Sequence, residues 1–140
     1  MSTNNQISVE IPQPIIDEVT LKLQECRAAL APYLQGLTAE QRKDIFKMGD
    51  KTVATVQKVK SYTGTNPEFA PNYMDQTEFA KDETVVTKLS PLANLALQFA
   101  TDISDTVMLA GSEALLNALL YYGSVREAAS KGVATAKPIY

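Results

Sequence analysis

Residues 85–122 read VVTKLSPLANLALQFATDISDTVMLAGSEALLNALLYY, and the way this stretch divides into helices decides the fold. Its first part carries Val85, Leu89, Leu92, Ala96, Phe99 and Ile103 in an unbroken 4-3-4-3-4 spacing, the period of one face of an α-helix. Pro91 removes a backbone donor without breaking that phase, so a kink and not a chain reversal is expected there. Asp75, followed three residues later by Glu78, marks the start of this third helix. Turn chemistry then offers two exits. Asp102–Thr106 supplies Ser104 or Asp105 as the cap of a fourth helix, and Gly111-Ser112 pairs a helix stop with a new cap. A helix running straight through 102–112 is the remaining alternative, and it favours an extended or domain-swapped dimer. Helix four then reaches about Lys131, where Gly132 ends it. From Met108 to Tyr122 its clearly polar side chains are Ser112, Glu113 and Asn117, so it needs cover on more than one side.

Working towards the start of the chain, Ile16, Val19, Leu23, Cys26, Leu30 and Tyr33 form a second stripe, spaced 3-4-3-4-3, which predicts a helix from about Gln13 to Leu34. Pro14 falls in its first turn, where a missing N–H does no harm, and Pro32 implies a kink or an end near Ala31. Cys26 is read as a small buried hydrophobe on this stripe. Gly36 closes the helix, and Thr38 with Gln41 makes a capping box that opens helix two. That helix extends to about Tyr62 with Ile45, Met48, Val56 and Val59 inward, interrupted at Gly49 and recapped by Asp50. Gly64 and Pro67 end it. The connection Thr63–Met74 contains Phe69, Pro71 and Tyr73, read as an apolar plug over the open end of the helices, with an exposed docking lip as the other reading.

The expected architecture is therefore all-α, a four-helix up-down-up-down bundle. Residues 1–12 are a disordered lead, 13–140 a single domain, and Val133–Tyr140 a short added helical turn. The chain of 140 residues has 21% charged residues and a net charge of -3, with its 13 Lys and Arg scattered. No basic stripe with aromatic neighbours appears, so nucleic acid is not an expected partner. Met1–Gln6 lacks a basic segment followed by an apolar run, which makes the cytoplasm the default compartment. The longest apolar stretch, Leu115–Tyr122, is broken by Asn117 and falls short of the roughly 20 residues that span a bilayer, so no membrane association is expected.

Chemistry has few places to reside. There is no histidine, no tryptophan and one cysteine, which removes the usual general base, the commonest metal ligand and any Cys-His pair. No catalytic, cofactor or metal residue is assigned. Asp102, Asp105 and Glu113 could hold a hard cation, but Asp102 and Asp105 read better as a helix end and a cap. Lys47-Met48-Gly49-Asp50-Lys51 resembles an anion nest but lacks the spaced glycines of a phosphate loop, and Asp50 would repel an anion. Glu113, Asn117 and Tyr121, at i, i+4 and i+8, line one face of helix four. They form a hydrogen-bonded row fixing helix register, the polar floor of a ligand pocket, or the solvent-facing side of an ordinary amphipathic helix.

The strings Lys47–Val53 and Asp105–Ala114, continuing through Tyr121–Val125 and Gly132-Val133, resemble an uncharacterised family of small bacterial all-helical proteins found among Bacteroidetes. The resemblance covers roughly residues 38–140. It implies a helical bundle and brings no activity, cofactor or site residue. Members of that family continue past the position of Tyr140 with a charged helical tail.

The functional expectation is a non-enzymatic protein that works through protein–protein contact and is itself a homo-oligomer, most simply a dimer. Leu109, Leu116 and Leu120 are its candidate interface, because bundle packing covers only about half of a helix as apolar as this one. The second expectation is an apolar small-molecule site between helices three and four, near Pro91 and the Glu113, Asn117, Tyr121 row.

Overall fold

The Oδ1 of Asp75 accepts the backbone N–H of Glu78 at 3.0 Å, and the helix opened by this cap continues for 55 residues. The structure is a computed structural model and describes residues 5–140. Its described residues form α1 (Gln13–Leu30), α2 (Ala39–Asp44), α3 (Asp50–Thr65) and α4 (Gln76–Ser130), with 3-10 turns at Ala31–Tyr33 and Pro67–Phe69. No strand occurs among them.

The chain is thus all-helical, but its four α-helices are not the four expected. Neither turn at 102–112 forms, and the expected helices three and four are one helix. Its backbone explains why. Thr106 returns its hydroxyl to the carbonyl of Asp102 at 2.8 Å, a bond made inside a helix, so Ser104 and Asp105 do not act as caps. Gly111 alone costs about 1 kcal/mol relative to alanine, and the Leu- and Ala-rich residues around it offset that amount. The helix also continues through Pro91, as the unbroken apolar phase required.

The chain divides into two compact units, with the boundary between Asn94 and Leu95 inside α4. The first unit is Ile11–Asn94. Here α1 ends where Pro32 enters a 3-10 turn, and α2 begins with the expected capping box, Thr38 Oγ1 accepting from the N–H of Gln41. The expected interruption of helix two forms, and it spans residues 45–49. α2 stops at Asp44 and α3 starts at Asp50 with Gly49 as its N-cap, so Asp50 sits in the first turn, where its charge suits the helix dipole, and is not the cap. Ile45, Met48 and Val59 are exposed and Val56 is half-buried. The inward side of α3 is instead Val53, Val56, Lys60 and Thr63, the half-buried residues of a 3-4-3 spacing.

Two further expectations fail in this unit. Cys26 is exposed, as are Ile16 and Leu23 on the same stripe of α1, so the thiol is not a core group. Phe69 is 81% and Tyr73 94% exposed, so their loop is not a plug. Ala70 and Met74 turn inward instead, being half-buried.

The second unit holds Leu95–Tyr140 and the described lead, 5–10. α4 ends in a Schellman turn: the N–H of Val133 bonds the carbonyl of Ala128 and that of Gly132 the carbonyl of Ala129, both at 3.1 Å. The φ of Gly132 is 87°, a conformation for which glycine is suited. The reversal lays the tail back on the helix, burying Val125 and Ala136 and setting the Tyr122 and Tyr140 rings 5.7 Å apart. The expected short terminal segment is present as consecutive turns. Of the lead, residues 1–4 lie outside the described residues. Residues 5–12 are non-helical, yet the backbone N–H of Gln6 donates to Oε1 of Glu113. Alternation of Ile7, Val9 and Ile11 with Gln6, Ser8 and Glu10 gives this segment the pattern of a two-edged extended strip.

Candidate functional site

Large apolar side chains stand exposed around the whole circumference of α4 in the second unit. Leu97 is 67%, Met108 70% and Leu115 60% exposed, with Leu95, Val107 and Leu119 similarly open. From Pro91 to Ser124 only Leu109 and Glu113 are half-buried. Such a surface exceeds the scattered apolar residues of an ordinary soluble monomer.

The candidate interface and the candidate polar row lie on the same side. Leu109, Glu113, Leu116 and Leu120 follow a 4-3-4 spacing, so the Glu113 carboxylate sits among the three leucines. Leu116 and Leu120 are exposed, and Leu109 is half-buried. Asn117 donates its amide to the backbone carbonyl of Glu113 at 3.0 Å, Tyr121 is exposed, and Glu113 takes the backbone of Gln6. Of the row, it is Glu113 that holds the extended lead of the same chain, and no described cavity is lined by these residues.

The polar centre of the molecule lies in the first unit, where Lys60 of α3 meets α4. Its Nζ is 2.6 Å from Oε2 of Glu83 and 2.9 Å from the hydroxyl of Thr84, while Thr87 donates to Oε1 of Glu83 at 2.7 Å. Glu83 is buried, and the hydrogen bonds from Lys60 and then Thr87 hold its carboxyl below the usual range for glutamate. Sequence spacing missed this pair, because a charge on the inward face of a helix looks like any solvated charge until its partner helix is placed. An open groove of about 880 Å³ runs past Lys60, Gln76, Lys81 and Thr84. A cavity of about 370 Å³ lies beside Met48, Val53, Glu83, Thr87 and Pro91. The space near Pro91 is thus bounded by Met48 of the connection and by residues of α3 and α4, since the helices once expected to flank it are a single helix.

Among the described residues no three His, Cys, Asp or Glu side chains gather as a metal site. α4 does contain an 18-residue window of mean hydropathy 1.2, long and apolar enough to cross a membrane by length and composition. The window is longer than the Leu115–Tyr122 run because apolar residues resume after each polar interruption. No protein-family model, curated protein or solved structure matches the chain.

Proposed function

We propose that this chain is a non-enzymatic assembly protein whose α4 associates with a second copy of itself. The observation that carries this reading is the exposure of large apolar side chains around α4 from Leu95 to Tyr122. Burying such side chains contributes roughly 1.5–3 kcal/mol each, and the chain on its own leaves most of that gain unused. An up-down helical bundle then forms between chains, each α4 serving as a wall for the other. Light scattering coupled to size exclusion at several concentrations tests it. A mass twice that of the 15.3 kDa chain supports the proposal, and a clean monomer throughout overturns it.

The apolar window of α4 favours one other destination, a lipid bilayer. Against it stand Asp105 and Glu113 within that stretch, since an aspartate at the centre of a spanning helix costs about 2.5–3.5 kcal/mol. Flotation with phosphatidylcholine vesicles separates the two: a chain that stays at the bottom of the gradient fits assembly in water, and one that floats fits the bilayer.

A further inference from the structure

Pro91 lies well inside α4 and has no N–H, so the carbonyl of Thr87 lacks the i+4 donor of a regular helix. Thr87 and Pro91 both line the cavity of about 370 Å³ beside α3, which puts this freed acceptor on its wall. Glu83, one turn earlier on the same face, lines it too. Its side chain is only 7% exposed, with Oε2 on Lys60 and Oε1 on the Thr87 hydroxyl. A carboxylate offers about four acceptor positions, so two remain open. Asp50, in the first turn of α3, brings a second carboxylate to the cavity and makes no ion pair among the described residues.

The charges around this cavity do not balance. No lysine or arginine is among the residues that line it, and Lys60 reaches Glu83 from the neighbouring groove. Two carboxylates against one ammonium leave a single negative charge. Met48, Val53, Val56 and Val86 make the remaining wall apolar. No aromatic ring is among the lining residues, so nothing there holds a cation that lacks N–H groups. Donors are what the acceptors call for, and a primary ammonium carries three N–H bonds, no acceptor and one positive charge. The volume is at the low end of the ~300–1,000 Å³ that small ligands occupy, enough for such a head and a short apolar body.

We propose that the cavity between α3 and α4 at Pro91 binds a primary amine with a short apolar body, its ammonium held by the Glu83 and Asp50 carboxylates and the Thr87 carbonyl. The body of the ligand packs against Met48, Val53 and Val86, which keep water from the charged head and so strengthen its bonds. The site lies wholly within the unit Ile11–Asn94, so it goes beyond the assembly reading and does not rest on it. It also gives the proline inside α4 a role, since a bond forgone within the helix becomes one available to the ligand. Pro91→Ala returns an N–H to the Thr87 carbonyl and makes a firmer helix but a poorer receptor, whereas a proline that only shaped the helix would move stability alone.

Isothermal calorimetry on the full chain with 2-phenylethylammonium chloride tests the site. Saturable binding of one amine per chain, with 2-phenylethanol and the N,N,N-trimethyl derivative each about tenfold weaker or worse, supports the inference. Pro91→Ala is expected to raise the melting temperature and weaken binding about tenfold, and Asp50→Asn to weaken it by a similar factor with melting little changed. Absence of saturable heat at millimolar amine overturns the proposal, as does equal binding of the alcohol, which would make the cavity a purely apolar one. Unchanged affinity in both variants places the amine elsewhere on the chain and overturns it too. Heat from calcium chloride with none from the amine replaces it with a metal site.

Discussion

The Lys60 ammonium lies 2.6 Å from Oε2 of Glu83 and ties α3 to the early turns of α4 at a buried carboxylate. Thr84 and Thr87 complete its hydrogen bonds, so the ion pair is satisfied on both sides and not merely adjacent. Everything else that joins α3 to this part of α4 is half-buried at best, which makes the pair the natural place to probe the hairpin.

Acid should therefore loosen α3 from α4. The Glu83 carboxyl is held below its ordinary value of 4.5, so its contribution to stability is complete above that value and is lost as pH falls through the lower folded value. Melting temperature is expected to hold between pH 7 and 5 and to drop below about pH 4.5. Glu83→Gln should melt lower than the parent at pH 7 and match it at pH 2; equal melting at both would remove the pair from the account.

Phe69→Ala should change stability by less than about 0.5 kcal/mol, because the ring is 81% exposed. Denaturant midpoints read this directly. A loss of several kcal/mol would restore Phe69 to the core from which the structure removes it.

The Schellman turn makes Gly132 costly to replace. A Cβ there would meet no atom within 4 Å, so the penalty of Gly132→Ala comes from the positive φ of 87° alone, about 1–2 kcal/mol. The tail should come loose from Val125, seen as faster hydrogen exchange at Ala136 and Tyr140 with α4 otherwise unchanged.

Gly111→Ala should stiffen α4. The new methyl has open space, and the helix should gain about 0.8–1 kcal/mol of propensity. The chain should melt higher by thermal scan, and a lower melting temperature would show that the glycine is needed for more than helix continuity.

Local chemistry was legible in this sequence wherever a few neighbouring residues settle the outcome. The Thr38–Gln41 box, the stop at Pro32, the start at Asp75 and the turn at Gly132 all form as spacing and capping imply. The turn at 102–112 misled because Ser, Asp and Thr are cap residues and also tolerable helix residues, and only the continuity of the helix on both sides decides between the roles. Burial was the least legible. Cys26, Ile16 and Leu23 carry the periodicity of a core but stand exposed, because periodicity names the face that seeks cover and not what supplies it, and Phe69, expected inward as a loop plug, is exposed as well. Glu113 was legible as part of a row with Asn117 and Tyr121. Its role as acceptor for Gln6 was not, since it depends on a contact 107 residues away in the chain.

The sparse burial of the described chain also has a calorimetric consequence. Val125, Ala136 and Glu83 are its buried residues among those described, so unfolding a lone copy exposes little new apolar surface. The heat-capacity increment and the denaturant slope both scale with that surface, so for a lone copy the increment should fall well below the ~1.2–1.5 kcal/mol/K expected per 100 residues of a packed domain, and the slope should be correspondingly shallow. Thermal transitions should accordingly be broad when the protein is dilute and sharpen as concentration rises, cooperativity itself becoming a property of the assembly.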